Sequence, residues 1–309
     1  MTVSLKDNRF TGVLPAALTP LKEDLTPNDA LMAKHCHWLL NNGSAGLAIL
    51  GTTGEANSFS LKERIRIIEN LVEAGIPGEK LLPGTGSCSL TDAVELTRVA
   101  VNAGAGGVLM LPPFYYKNPS DEGLYAFFSE VIQRVADPRL QIYLYHFPQM
   151  SATPITYNLI EMLLKDYPDA IAGMKDSSGV LENMTGAAEK FPGFHVLSGA
   201  DDLLLPVLEK GGAGAITACA NVCCSPLSAV HDGFRAGTDV SALHEQVTAV
   251  RHTIANFPLQ SALKALIARH TGNDEWLRLR PPLHLLSEEK TAELFNAFDA
   301  IGHELPAAA

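Results

Sequence analysis

The chain has 309 residues, 47% of them hydrophobic and 18% charged, which excludes intrinsic disorder and leaves room for one or two domains. Its 23 Lys and Arg face 34 Asp and Glu, a net charge of −11. With no basic run, the electrostatic footprint of a nucleic-acid or anionic-membrane binder is missing. No apolar run approaches the ~18 residues of a membrane span, residues 1–10 carry no signal-peptide core, and the five cysteines include no CxxC pair. Buried free thiols and a cytoplasmic protein are the expectation.

Eight short apolar runs then follow one another: Val13–Leu18, Gly46–Leu50, Lys80–Leu82, Gly107–Leu111, Gln141–Tyr145, Ala170–Met174, Phe194–Leu197 and Gly214–Thr217. Their continuous apolar character suits parallel strands covered on both faces. Helical signals lie between them. Ser60-Leu-Lys-Glu63 is a capping box, with Leu61, Ile65, Ile68 and Val72 on one helical face. A helix opens after Ser89, and Thr156 caps one that carries Leu159, Ile160, Leu163 and Leu164. Eight strands with intervening helices predict an α/β fold, a (β/α)8 TIM barrel, over residues 1–224. An open doubly wound sheet is the alternative. Of the 25 glycines, only Gly233, Gly237, Gly272 and Gly302 lie beyond position 214. Residues 225–309 therefore read as three or so helices packed on the barrel rather than a domain of their own.

A parallel barrel delivers the C-terminal ends of its strands to one face, where active sites are built. The residues ending each run there are Gly51-Thr-Thr-Gly-Glu55, Tyr145-His-Phe-Pro148, Gly173-Met-Lys175-Asp-Ser-Ser-Gly179 and Ser198-Gly-Ala-Asp-Asp202. Lys175 stands out because it closes an apolar run, whereas the other lysines fall mostly on polar helix faces or in loops. Desolvation there disfavours the charged ammonium and makes a neutral amine available, as Schiff-base formation with a carbonyl requires. The same lysine could instead pair with Asp176 at a strand end. The Gly51–Glu55 turn offers hydroxyls and backbone N–H groups that can hold a carboxylate or phosphate, or it is simply a turn. Tyr145, Tyr115 and Tyr116 are proton-relay candidates or ordinary packing. His35 and His37 are two apart and share no helix face, no zinc-type cluster occurs, and neither a P-loop nor a GxGxxG turn is present. No metal or nucleotide is expected.

Taken together, Gly51-Thr-Thr-Gly-Glu55, Tyr145-x-x-Pro148, Gly173-x-Lys175 and Ala220-Asn-Val222 resemble the dihydrodipicolinate synthase / N-acetylneuraminate lyase family, in order and spacing, over nearly the whole chain. The resemblance implies a (β/α)8 barrel with a C-terminal helical extension, a homotetramer built as a dimer of dimers, and Schiff-base chemistry on pyruvate or another 2-oxo acid without cofactor. It implies that Lys175 is the Schiff-base lysine, that Thr52 and Thr53 grip the substrate carboxylate, and that Tyr145 relays protons. Tyr115, or Tyr116 beside it, would be lent across the subunit interface, and the Ile216 carbonyl would face the bound pyruvyl group. Dihydrodipicolinate synthases carry an arginine five residues after the relay tyrosine. Met150 stands there and cannot make a bidentate fork. That position is apolar in the neuraminate lyases, and Gly199-Ala-Asp201-Asp202 is similar to their Gly-x-Asp-Glu, whose carboxylates hold substrate hydroxyls. Ala218 in place of a serine and Ala152 in place of a glycine point away from sialic acid itself. The resemblance thus implies an aldolase-type lyase that cleaves a 2-keto-3-deoxy sugar acid, or a related 2-oxo acid, to pyruvate and an aldehyde. The alternatives are 4-hydroxy-tetrahydrodipicolinate synthase, a sugar-acid dehydratase, or a silent barrel that only binds.

Overall fold

The computed structural model describes residues 9–308. The first eight residues, where most of the signal-peptide reading falls, and Ala309 lie outside the described residues. Six strands, β1 (Gly12–Pro15), β2 (Val108–Met110), β3 (Ile142–His146), β4 (Ile171–Asp176), β5 (His195–Ser198) and β6 (Gly214–Thr217), form one all-parallel sheet in the order β1-β6-β5-β4-β3-β2. The other two predicted strands do not extend into ladders. Segments 46–50 and 80–84 make only isolated parallel bridges, Ala16 to Ala48, Leu47 to Leu81 and Gly84 to Leu109. Their hydrogen bonds still run from one sheet edge to the other: Ala48 N donates to Pro15 O, Leu82 N to Leu47 O, and Leu109 N to Pro83 O.

Helices lie between the strands: α1 (Asp29–Asn41), α2 (Leu61–Glu73), α3 (Leu90–Asn102), α4 (Asp121–Val135), the short α5 (Pro148–Ser151), α6 (Tyr157–Asp166), α7 (Leu181–Lys190) and α8 (Leu204–Glu209). Ser60, Ser89 and Thr156 cap α2, α3 and α6 through their hydroxyls, and the Ser60/Glu63 box is complete in both directions. The face of α2 is rotated from the predicted one. Arg64, Ile67, Ile68 and Leu71 are buried, while Leu61, Ile65 and Val72 are half-buried. Arg64 shares this face with Ile67 and Leu71, its guanidinium drawn inward to two loop carbonyls.

The tail comprises α9 (Ala220–Arg235), α10 (Ser241–Ala255), α11 (Leu259–Thr271) and α12 (Glu288–Ala300). The position 224/225 lies inside α9, which is kinked at Cys223 (φ −136°, ψ 30°), three residues before Pro226. One apolar cluster joins Val13 and Ala215 of the sheet to Val222, Val247, Leu263 and Phe298 of these helices, so the tail shares a core with the sheet. A second cluster sits inside the ring: Leu14, Leu82, Leu109, Tyr143, Tyr145, Ala172, Leu197 and Ile216. Four of the cysteines are buried free thiols. Cys88 is the exposed exception. Among the described residues, no helix is long and apolar enough to cross a membrane.

Candidate active site

Side chains alternate across each strand, so parity decides what enters the ring. On β3, Tyr143 and Tyr145 face inward while Ile142 and Leu144 meet the helices. On β4, Ala172 faces inward, yet both Ile171 and Met174 face outward. The pairing register explains this. Ile142 pairs with Ile171 and the next residue, Tyr143, pairs with Gly173, so β4 carries one extra residue. That bulge resets the alternation. It turns Lys175 inward and Asp176 outward. Gly173 permits it: a Cβ there would lie 2.1 Å from the His195 carbonyl oxygen of β5.

Lys175 is 5% exposed, and its Nζ lies 4.5 Å from the centroid of the Tyr145 ring. Asp176 is not its partner. Its carboxylate accepts from Ser178 N (2.7 Å) and from Asn183 Nδ2 (2.6 Å) of α7 on the helix side. Tyr145 is buried, and its hydroxyl is 3.5 Å from Thr52 Oγ1. Lys175, Tyr145 and Thr52 therefore converge at one end of the ring. The cavity at this end is lined by Thr52, Tyr145, Arg64, Gly84 and Gly86. Ile216 is buried in the inward-facing cluster, and Thr53 is buried in the Gly51–Glu55 turn.

That turn is held in an unusual shape. Leu50 (φ 55°) and Glu55 (φ 59°) bracket it in the left-handed region, which residues with a Cβ adopt at a cost. The helical tail supplies the constraint. Glu55 is buried, and its Oε1 accepts from Lys264 Nζ of α11 at 2.5 Å while its Oε2 accepts from Arg280 N at 2.9 Å. Lys264 also donates to Arg278 O, and Gln260 Nε2 donates to Thr52 O. Burial pulls the Lys264 ammonium below its ordinary value, with Glu55 opposing. Lys264 thus departs from the rule that lysines other than Lys175 sit on polar faces. The signal for it was present: one lysine in the run Ala262-Leu-Lys-Ala-Leu-Ile-Ala268, whose other members are all apolar.

Arg64 was also missed. Its Nη2 donates to Gly84 O (2.8 Å) and Gly86 O (3.2 Å), pinning the loop before α3, and burial lowers its pKa to about 10. Asn221 locks β1 to the start of α9. It donates to Ala16 O and Ala218 O and accepts from Leu18 N.

Of the other predicted site residues, two are carboxylates held by partners of their own. Asp201 is fully buried and accepts from Thr217 Oγ1 (2.6 Å), on the helix-facing side of β6 that Ala215 shares. Burial raises its carboxyl above the usual carboxylate range, opposed by the Thr217 hydrogen bond and the Arg251 charge. Asp202 Oδ2 is 3.5 Å from His252 Nε2 of α10. Asp201 thus finds its partner on the outer side of β6, where alternation puts Thr217, and Asp202 pairs with His252. Gly199 holds the β5 end against β4, where its N–H donates to Asp176 O at 2.7 Å. Met150 is 61% exposed on α5. Tyr115 and Tyr116 are 73% and 80% exposed, with their rings edge-on to each other. His35 is buried against Asn221, whereas His37 bonds Ala74 O. Among the described residues, no group of His, Cys, Asp and Glu could hold a metal.

Comparison with known proteins gives one answer. The model of the dihydrodipicolinate synthetase family matches residues 9–301. An uncharacterized DapA-like lyase of Chloroflexus aurantiacus is 36% identical over 292 residues, 94% of this chain and 96% of its own. The solved dihydrodipicolinate synthase of Agrobacterium tumefaciens superposes with a TM-score of 0.87 at 30% identity, covering 95% of this chain and 100% of that one. YagE, a prophage protein of the dihydrodipicolinic acid synthase family from E. coli K12 solved in complex with pyruvate, gives 0.85 at 26% identity, covering 95% and 99%.

Proposed function

Because the chain belongs to the dihydrodipicolinate synthetase family of aldolase-type lyases and synthases, we propose that it cleaves a 2-keto-3-deoxy sugar acid, or a related 2-oxo acid, through a Schiff base on Lys175. The observation that carries this is the buried Lys175 Nζ, free of a carboxylate partner among the described residues, over the ring of a tyrosine whose hydroxyl reaches Thr52. The scaffold is read as a (β/α)8 barrel over residues 1–224, with the two bridged segments completing the eight, and a helical extension over 225–309.

Thr52 and Thr53 hold the substrate carboxylate and fix C2 against the amine, an orientation effect. The Lys175 amine attacks C2, and loss of water gives the iminium, whose nitrogen draws electrons from the C3–C4 bond. Tyr145 takes the C4 hydroxyl proton as that bond breaks and the aldehyde leaves. The enamine accepts a proton at C3, and water then hydrolyses the iminium to pyruvate and free lysine. The imine needs no cofactor. Tyr115 and the Ile216 carbonyl keep their proposed places, the first lent between subunits of a homotetramer and the second facing the pyruvyl group.

A second reading, condensation of pyruvate with aspartate semialdehyde, is favoured by the likeness to the dihydrodipicolinate synthase of Agrobacterium tumefaciens. Met150, which offers no guanidinium to a second carboxylate, favours cleavage.

Borohydride reduction in the presence of pyruvate should leave a stable mass adduct on the wild type and none on Lys175→Ala, whose far-UV spectrum stays native. An adduct that survives in the variant would remove Lys175 from the reaction. A panel of 2-keto-3-deoxy acids scored for pyruvate release tests the substrate class. Efficient condensation with aspartate semialdehyde would select the synthase, and consumption of a sugar acid without pyruvate or aldehyde would select a dehydratase.

A further inference from the structure

A cavity of about 160 Å³ lies away from this site, between α1 and α11, with Trp276 closing one side and Ala308 another. It is walled by rings. His35 stacks on Trp38 (centroids 5.9 Å, 17°) and meets Trp276 edge-on (5.0 Å), and Trp38 lies 5.9 Å from His270. Burial holds His35 near pKa 4, so its ring is neutral at pH 7, and it is anchored by Asn221.

Two of the lining residues carry a buried polar atom without a hydrogen-bond partner among the described residues, Trp276 Nε1 and His270 Nε2. Trp38 Nε1, in contrast, donates to Ala307 O. An orphaned buried donor costs free energy unless something accepts from it. Lys34 carries the one formal charge among the lining residues and has no ion-pair partner among the described residues. A cage for an organic cation would need the opposite sign at its rim. Apolar cavities of roughly 150 Å³ admit a benzene-sized guest.

We propose that this cavity is a binding site for a small planar carboxylic acid, with the ring between the aromatic walls and the carboxylate toward Trp276 Nε1 and Lys34. The site is separate from Lys175 and does not depend on the reaction assigned there.

Trp38 and Trp276 are the only tryptophans of the chain. Two indole N–H signals in a 15N-labelled protein therefore report on the cavity alone. Benzoate is the probe. It should shift the Trp276 indole signal saturably, while benzyl alcohol and benzylammonium bind more weakly. Trp276→Phe should weaken benzoate about tenfold, the loss of one charge-assisted hydrogen bond. Lys34→Ala, an exposed position that leaves the fold untouched, should weaken benzoate and leave benzyl alcohol unchanged. Indole signals that do not move with benzoate would overturn the site. Benzylammonium binding tighter than benzoate, or a Lys34→Ala protein with unaltered benzoate affinity, would overturn the chemistry assigned to it.

Discussion

At the scale of single residues, two buried lysines behave differently. Lys175 meets an aromatic face and no carboxylate, whereas Lys264 is paired with Glu55 in full burial. Removing one member of a buried pair strands the other charge, at a cost of about 3–5 kcal/mol. Lys264→Met should lower unfolding free energy by that order in denaturant titration, and the double variant Glu55→Gln, Lys264→Met should recover part of the loss. Because Glu55 closes the Thr52–Thr53 turn, the single variant should also raise KM for the 2-oxo acid. His35 gives a pH signature. Its folded pKa of about 4 lies below the ordinary 6.5, so the unfolded chain binds the proton first as the solution is acidified. This contribution is complete above pH ~6.5 and disappears as pH falls toward 4, on the order of 3 kcal/mol. Chemical denaturation across that window should show the decline. His35→Gln, which can still donate to Asn221, should flatten it.

At the scale of elements, the bulge in β4 is decisive. Strict alternation from Ala172 would aim Met174 into the ring and Lys175 at α7. The extra residue reverses both. Gly173→Ala must push against the His195 carbonyl and is expected to cost at least about 2 kcal/mol. Activity should fall further than stability alone explains, because the β4 register aims the lysine. Thermal melts beside single-turnover imine formation would separate the two losses. Helix boundaries at Ser60, Ser89 and Thr156 were legible because capping is local chemistry: a hydroxyl meets an N–H three residues away. The bulge was not legible, since Ala170–Met174 is apolar on both faces and carries no period from which to read parity.

At the scale of the whole molecule, the tail is part of the site's support. Gln260, Lys264 and Arg280 reach back more than 200 residues to hold the Gly51–Glu55 turn. Tyr115 and Tyr116 stand exposed side by side, 73% and 80% accessible. Sedimentation at micromolar protein should give a tetramer, and Tyr115→Ala should both shift it toward smaller species and lower kcat. A monomeric wild type with full activity would end the proposal that this tyrosine is shared.

The residue order by itself determined six of the eight apolar strands, the helix caps and the family, because each is written in neighbouring side chains or in spacing along the chain. Only the tertiary structure decided that Lys175 turns away from Asp176, that Asp201 finds its partner on the outer side of β6, that Arg64 joins the buried face of α2, and that Lys264 clamps the threonine turn. Those outcomes depend on strand register and on contacts between residues far apart in the chain. A buried charge takes whichever partner folding brings within reach, and local pattern carries no record of it.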